Sequence, residues 1–227
     1  MIAIPGSTVI SGDAGTYRPE TRITQTGPSR GHDTDRRRLS QLDDAALVQE
    51  TREGNLPGFN ELVDRYRDKA IRLVTSTLGA REDVEDIVQE VFIKVYRSLD
   101  RFRGDASFST YLYTVTVNRC RDELRKSKIR KFFSFDDWFA GSESELSDMS
   151  QDNGQSLEQD ERITAVRAAM GRLPHQTRML LHLREIEELS YKELADVFNV
   201  EIGTIKSRLA RARDRLRDEL LPFMQED

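Results

Sequence analysis

The sequence predicts an all-α protein made of two small helical domains joined by an acidic flexible linker, the second of them a helix-turn-helix domain. Three observations carry that prediction. Apolar residues recur with a 3.6-residue period from Leu42 to beyond Leu99 and again from Ile163 onward. The stretch from Asp136 to Glu161 holds nine acids and no Lys or Arg. A capping box, Ser190 with Glu193, opens a short helix that is followed by a turn and a basic helix. With 227 residues, 37% of them hydrophobic and 33% charged, the chain can fill two modest cores rather than one large one. Mean hydropathy is −0.63, and no stretch nears the roughly 18 apolar residues of a membrane span. The N-terminal MIAIPGSTVISGDAG has no basic region, and Pro5 and Gly6 interrupt its apolar residues, so neither membrane insertion nor a secretory signal is expected and the expected location is cytoplasmic. Cys120 is alone, and His32, His175 and His182 lack zinc-ligand spacing, so no metal or other cofactor is expected.

Residues 1–40 hold Pro5, Pro19 and Pro28 among Gly, Ser, Thr and Arg, with no periodicity to bury, and are expected to be a disordered N-terminal extension. Arg36, Arg37 and Arg38 within it read as a solvated charge run. The first helical domain occupies 41–131. Leu42 and Asp43 supply a hydrophobic staple and N-cap, Leu47 and Val48 apolar contacts, and Gly54 a stop for its first helix. Phe59, Leu62, Val63, Tyr66, Ala70, Leu73, Val74 and Leu78 carry the second helix, ended by Gly79. Val84, Ile87, Val88, Val91, Phe92, Val95 and Leu99 stripe the third. The segment from Ser107 to Lys131 gives divided signals, because Thr114 to Val117 is a β-branched run that suits a strand. It is read as helix: Ser107 can cap it, Phe108, Leu112, Val115 and Leu124 approximate one face, and no turn signal interrupts it.

Residues 132–160 form the acidic linker. It opens with Phe132, Phe133, Phe135, Trp138 and Phe139, which suit packing onto a neighbouring domain and docking into a protein groove equally well. The second domain spans 161–222, with 223–227 as a tail. Ile163, Val166, Met170 and Leu173 stripe one helix, Pro174 opens the next, and Met179, Leu180 and Leu183 are its apolar side. Ser190 and Glu193 then cap a helix starting at Tyr191, Asn199 tolerates a left-handed turn, and a second helix begins near Ile202. Ile205, Leu209, Ala212 and Leu216 face inward there, while Lys206, Arg208, Arg211, Arg213, Arg215 and Arg217 oppose only Asp214. That arrangement reads duplex DNA: residues near the helix start reach base edges and flanking bases neutralise phosphates. Lys206, Ser207 and Arg211 are the expected readers, with Ser190, Thr204 and Arg208 beside them.

Two further signals lie in the first domain. Phe92, Tyr96, Phe102, Phe108, Tyr111 and Tyr113 cluster within the same region as nine bases between Arg101 and Lys131, a pairing that suits single-stranded DNA. Composition assigns Phe92 and Phe108 to the core and leaves Phe102, Tyr111 and Tyr113 open. The loop Phe102, Arg103, Gly104, Asp105, Ala106, Ser107 combines a glycine with polar groups able to read an extruded base. Asp83, Glu85, Asp86, Gln89 and Glu90 make an acidic helix face beside an outward Ile93. No His, nucleophile or phosphate loop accompanies these acids, so a basic protein surface fits them better than catalysis does.

Three segments, DVEDIVQEVFIKVY, FRGDASFSTYLYTVTVNRCRDELRK and LPHQTRMLLHLREIEELSYKELADVFNVEIGTIKSRLARARDRLRDEL, resemble in order those of bacterial extracytoplasmic-function sigma factors, the promoter-specificity subunits of RNA polymerase. The resemblance covers Leu42 to Leu221. It implies a non-enzymatic protein whose Asp83, Asp86, Gln89, Glu90 and Ile93 dock on the clamp helices of the largest polymerase subunit. It implies that Phe102, Arg103, Gly104, Asp105, Ser107, Tyr111, Asn118, Arg121 and Arg125 melt and read the minus-ten promoter element, the loop holding a flipped base. Many relatives have Trp where Tyr111 stands. The second domain would read the minus-thirty-five element as duplex, and an anti-sigma factor is an implied partner beside core polymerase and promoter DNA. Opening several base pairs costs several times the mean ~1.4 kcal/mol of a stacking step, more than one or two base pockets return, so docking on polymerase must supply the rest. The acidic linker would lie along the basic nucleic-acid channel of that enzyme. An autonomous helix-turn-helix regulator that binds duplex DNA without polymerase is the alternative.

Overall fold

The computed structural model describes residues 30–133 and 157–224. Residues 1–29, the acidic stretch 134–156 with Phe135, Trp138 and Phe139, and residues 225–227 lie outside the described residues. The described residues form helices without strands. Helix α1, Arg30–Ser40, falls in a segment for which composition gives no reason to fold. Tertiary contacts give the reason: Leu39 is buried in the core, Arg38 holds Glu50 through two hydrogen bonds of 2.7 and 3.1 Å, and Arg65 donates to the Ser40 carbonyl. The Arg38 guanidinium and then the Asn55 amide hold the Glu50 carboxyl down at about 2.

Helix α2, Asp44–Arg52, starts where Asp43 accepts from the Ala46 amide at 2.8 Å and ends before Gly54, whose φ of +92° suits glycine. Helix α3, Leu56–Leu78, has Pro57 in its first turn and stops at Gly79. Helix α4, Val84–Ser98, buries the predicted stripe and runs into one 3₁₀ turn, Leu99–Arg101. Helix α5, Phe108–Phe133, is capped by Ser107, whose Oγ accepts from the Thr110 amide at 3.1 Å. Its β-branched residues sit in the helix with their hydroxyls turned back onto it: Thr114 donates to the Thr110 carbonyl at 2.8 Å and Thr116 to Leu112 at 2.9 Å.

In the second unit, α6 is Leu157–Arg172, so helix already begins within the acidic run. Helix α7, His175–Leu181, follows Pro174 and widens into a π-helical turn, His182–Ile186. Helix α8, Tyr191–Phe198, carries the full capping box, with Glu193 N–H to Ser190 Oγ at 3.2 Å and Ser190 N–H to Glu193 Oε2 at 2.8 Å. Asn199 takes the left-handed turn at φ +52°. Helix α9, Ile202–Met224, buries Ile205, Leu209 and Ala212, with Leu216 half-buried.

Helices α2 to α5 pack as one bundle and α6 to α9 as another, and the two bundles pack together through α5 against α8 and α3 against α7. Between them the Glu187 side chain is only 2% exposed; it accepts from the Tyr113 hydroxyl at 2.6 Å and lies 3.4 Å from Arg72 and 3.7 Å from Lys69. His175 Nδ1 lies 2.6 Å from the Thr77 carbonyl and 2.7 Å from Arg178 Nη2, donating to the first when protonated and accepting from the second when not. Thr110 meets Glu193 at 3.4 Å.

Candidate nucleic-acid and partner interfaces

Three surfaces take shape on this frame. The first lies along α3 and α4, whose stripes pack inward and leave Leu56, Ile93 and Tyr96 exposed over a groove of about 760 Å³. Asp86, Gln89 and Ile93 line it with Phe59, Val88 and Phe92, together with Arg67 and Arg97. An apolar floor with exposed acids at its rim fits a helix that presents apolar and basic residues. Two expected members stand apart from the groove. Asp83 is held by Arg81 through contacts of 2.8 and 2.6 Å, and Glu90 turns to Arg119 on α5 at 2.8 Å.

The second surface is the joint between α4 and α5. Phe102 stacks on Tyr111 with ring centroids 5.1 Å apart, and the Tyr111 hydroxyl bonds Ser98. Beyond Phe102 the chain turns outward through Gly104 at φ +79°, a backbone that L side chains rarely adopt, so Arg103, Gly104 and Asp105 form an exposed tip. Ser107 then bonds Ser109 at 2.9 Å and Thr110 at 2.8 Å as it caps α5. Two of the three aromatic residues that composition left open therefore stay together at the loop. Tyr113 does not: it is buried between the bundles, where burial and its bond to Glu187 push the phenol well above its usual range.

Further along α5, Asn118 is exposed and accepts from Arg121 at 3.3 Å, while Arg125 pairs with Asp122 at 3.5 Å. The Arg121 guanidinium lies 5.4 Å over the Phe198 ring of α8. Burial, and then the nearby charge of Arg208, lower its pKa from the ordinary guanidinium value. An α5 cation therefore lies against an α8 ring, within reach of the charge of an α9 cation.

The third surface is α9. Lys206, Ser207, Arg208 and Arg211 are exposed and Thr204 is half-buried. Ser207 donates to the Thr204 carbonyl at 3.0 Å, and Arg211 Nε to the Ser207 carbonyl at 3.2 Å. Arg208, Arg211 and Arg215 line a cleft of about 220 Å³ with Gln176, Thr177 and Phe198. Arg213 is tied to Glu185 at 2.8 Å. Ser190, expected at the same interface, spends its oxygen on the α8 cap.

Residues that sequence reasoning missed are those whose partners are far away in the chain. Phe198 under Arg121, Glu187 beside Tyr113, and Arg52 on the carbonyls of Leu99 and Phe102 have no local pattern to announce them. Cys120 is fully buried, and burial pushes its thiol up to about 12, which leaves it protonated and unreactive. Among the described residues no group of His, Cys, Asp and Glu is arranged to hold a metal ion, and no helix is long and apolar enough to cross a membrane.

Residues 62–129 match the family model for Sigma-70 region 2, and residues 163–216 that for Sigma-70 region 4. The chain is 35% identical over 189 residues to the ECF RNA polymerase sigma-E factor of Haemophilus influenzae, covering 81% of this chain and 98% of that one. It is 36% identical to the protein of the same name in Escherichia coli, over 82% of this chain and 98% of the other. Among solved structures, the sigma factor RpoE of Bartonella quintana, crystallised with the anti-sigma factor NepR, is similar with a TM-score of 0.58 at 25% identity, covering 71% of this chain and 96% of that one. CnrH, in complex with the cytosolic domain of CnrY, shares the fold with a TM-score of 0.55 at 24% identity, over 78% of this chain and 96% of that one.

Proposed function

This chain belongs to the extracytoplasmic-function sigma factors of RNA polymerase, and from that premise we propose how its two helical bundles divide the work of starting transcription. The α3–α4 groove, with Asp86, Gln89 and Ile93, is the seat for the clamp helices of core polymerase. Asp83 and Glu90 support it from its flanks through Arg81 and Arg119. The loop of Phe102, Arg103, Gly104, Asp105 and Ser107, with Tyr111, Asn118, Arg121 and Arg125 along α5, receives the melted minus-ten strand. Helix α9 enters the major groove at the minus-thirty-five element, with Lys206, Ser207 and Arg211 reading bases and Arg208 neutralising phosphate. Thr204 supports Ser207, and Ser190 acts by holding α8 in place.

The observation that carries this division is that one chain presents both kinds of grip: stacked aromatic rings beside an exposed glycine loop for unpaired bases, and a basic helix in a helix-turn-helix for paired ones. Sigma factors contribute specificity, and catalysis of RNA synthesis stays with the polymerase. The same apolar groove is open to competition by an anti-sigma factor, the class of partner seen with the Bartonella relative.

Geometry adds a requirement. Elements named for positions ten and thirty-five lie about 25 base pairs apart, or ~80 Å along a duplex at 3.4 Å per pair. In the packed chain α5 lies against α8, and the charge of Arg208 on α9 reaches Arg121 on α5, so the two reading surfaces are close together. Both elements are held at once only when α5 and α8 part.

Transcription from a random linear promoter library with core polymerase, with and without the chain, tests the function. The chain should confine transcript starts to one promoter class with two conserved blocks. Starts that do not depend on the chain, or duplex binding by the chain alone with no effect on initiation, would overturn it.

A further inference from the structure

The minus-ten loop is pinned at its exit by its own cap, Ser107, but its entrance is held from outside. Arg52, in the last turn of α2, sends Nε and Nη2 to the Leu99 carbonyl at 3.1 and 2.9 Å, and Nη2 also to the Phe102 carbonyl. The Leu99 carbonyl also accepts from the Phe102 amide at 3.1 Å, the bond that closes the 3₁₀ turn. The guanidinium therefore shares that acceptor and ties it to the Phe102 carbonyl just past the turn, a bridge that a planar fork can make and a single ammonium covers poorly. Phe102 is thereby tied down where it stacks on Tyr111, itself anchored on Ser98. The tip residues Arg103, Gly104 and Asp105 are exposed, so their placement depends on the two ends. Arg52 is far from the tip in sequence and precedes residue 62, where the match to Sigma-70 region 2 begins.

We propose that Arg52 is a positioning residue of the base pocket: by fixing the Leu99 and Phe102 carbonyls it sets where the 102–107 loop meets the flipped base, and so sets base preference at that one promoter position. The proposal rests on the reading of that loop as the minus-ten pocket. Its mechanism is pre-organisation, since a pocket misplaced by about 1 Å loses discrimination although every contacting group is present.

The test uses the full chain with core polymerase on promoters randomised through the minus-ten element, as duplexes and as premelted bubbles, comparing Arg52→Ala, Arg52→Lys and the tip variant Asp105→Ala. Polymerase affinity and thermal midpoint are measured alongside. Arg52→Ala should keep polymerase affinity within about twofold while losing about tenfold in preference at the pocket position, on duplex and bubble alike. Arg52→Lys should recover only part of that preference. If Asp105→Ala changes the preference and Arg52→Ala does not, the inference fails and the loop reading stands. If neither changes it, the loop reading fails and takes the inference with it. A loss for Arg52→Ala that is uniform across sequences and tracks lowered polymerase affinity or melting would make Arg52 a purely structural residue, and would also overturn the proposal.

Discussion

Burial is the main force on His182, bringing its imidazole to about 4 from an ordinary 6.5, against a pull upward from Glu187 and with a smaller push downward from Arg72. Its Nε2 has no hydrogen-bond partner among the described residues, and Glu187 Oε1 is 3.7 Å away. The folded state therefore takes up the proton later than the unfolded chain. The stability contribution is complete above pH 6.5 and is lost as pH falls towards 4, at up to about 1.4 kcal/mol per unit. Urea denaturation across that window should show this slope, and His182→Gln should flatten it; equal slopes would remove His182 as the cause. On α9, Lys206→Ala or Arg211→Ala should cost about 1–3 kcal/mol in minus-thirty-five binding and relax preference at one base pair, read by competition with single-base variants. A changed salt slope with preference intact would make the residue a phosphate contact. The α9 candidates come from the sequence because a basic run on an exposed helix is written locally. Arg52 and Glu187 were not, because each acts on residues 47 and 74 positions away.

Helix α8 depends on a cap that the sequence displayed in full, and Ser190→Ala should cost about 1 kcal/mol of stability in thermal denaturation. An unchanged midpoint would mean the box holds nothing. For α4, Asp86→Ala with Gln89→Ala should weaken binding to core polymerase and leave helicity and melting unaltered, since both side chains are exposed; matched losses of folding and binding would contradict the groove assignment. Helix α5 shows where periodicity stops informing. Phe108, Leu112, Tyr113, Val115, Val117 and Cys120 are buried around most of its circumference, because the first bundle packs on one side and α8 on another, so no single apolar stripe exists to be read. Helix α1 is the converse: polar throughout except for Leu39, it is held by ion pairs to α2 and α3 that no local pattern encodes.

The all-helical class and the helix-turn-helix followed from the sequence, but the close packing of the two bundles did not, since its contacts join residues scattered from Lys69 to Phe198. Under the proposed division of labour, promoter binding requires the packing of α5 on α8 to open. The direct measurement is the spin-label distance between Asp68→Cys on α3 and Asp218→Cys on α9, both well exposed, while the native Cys120 is buried with its thiol raised to about 12 and stays unlabelled. The free chain should give one short, narrow distance. The complex with core polymerase and promoter should lengthen it by tens of ångströms, as elements about 25 base pairs apart demand. An unchanged distance in a complex that initiates transcription would contradict the account.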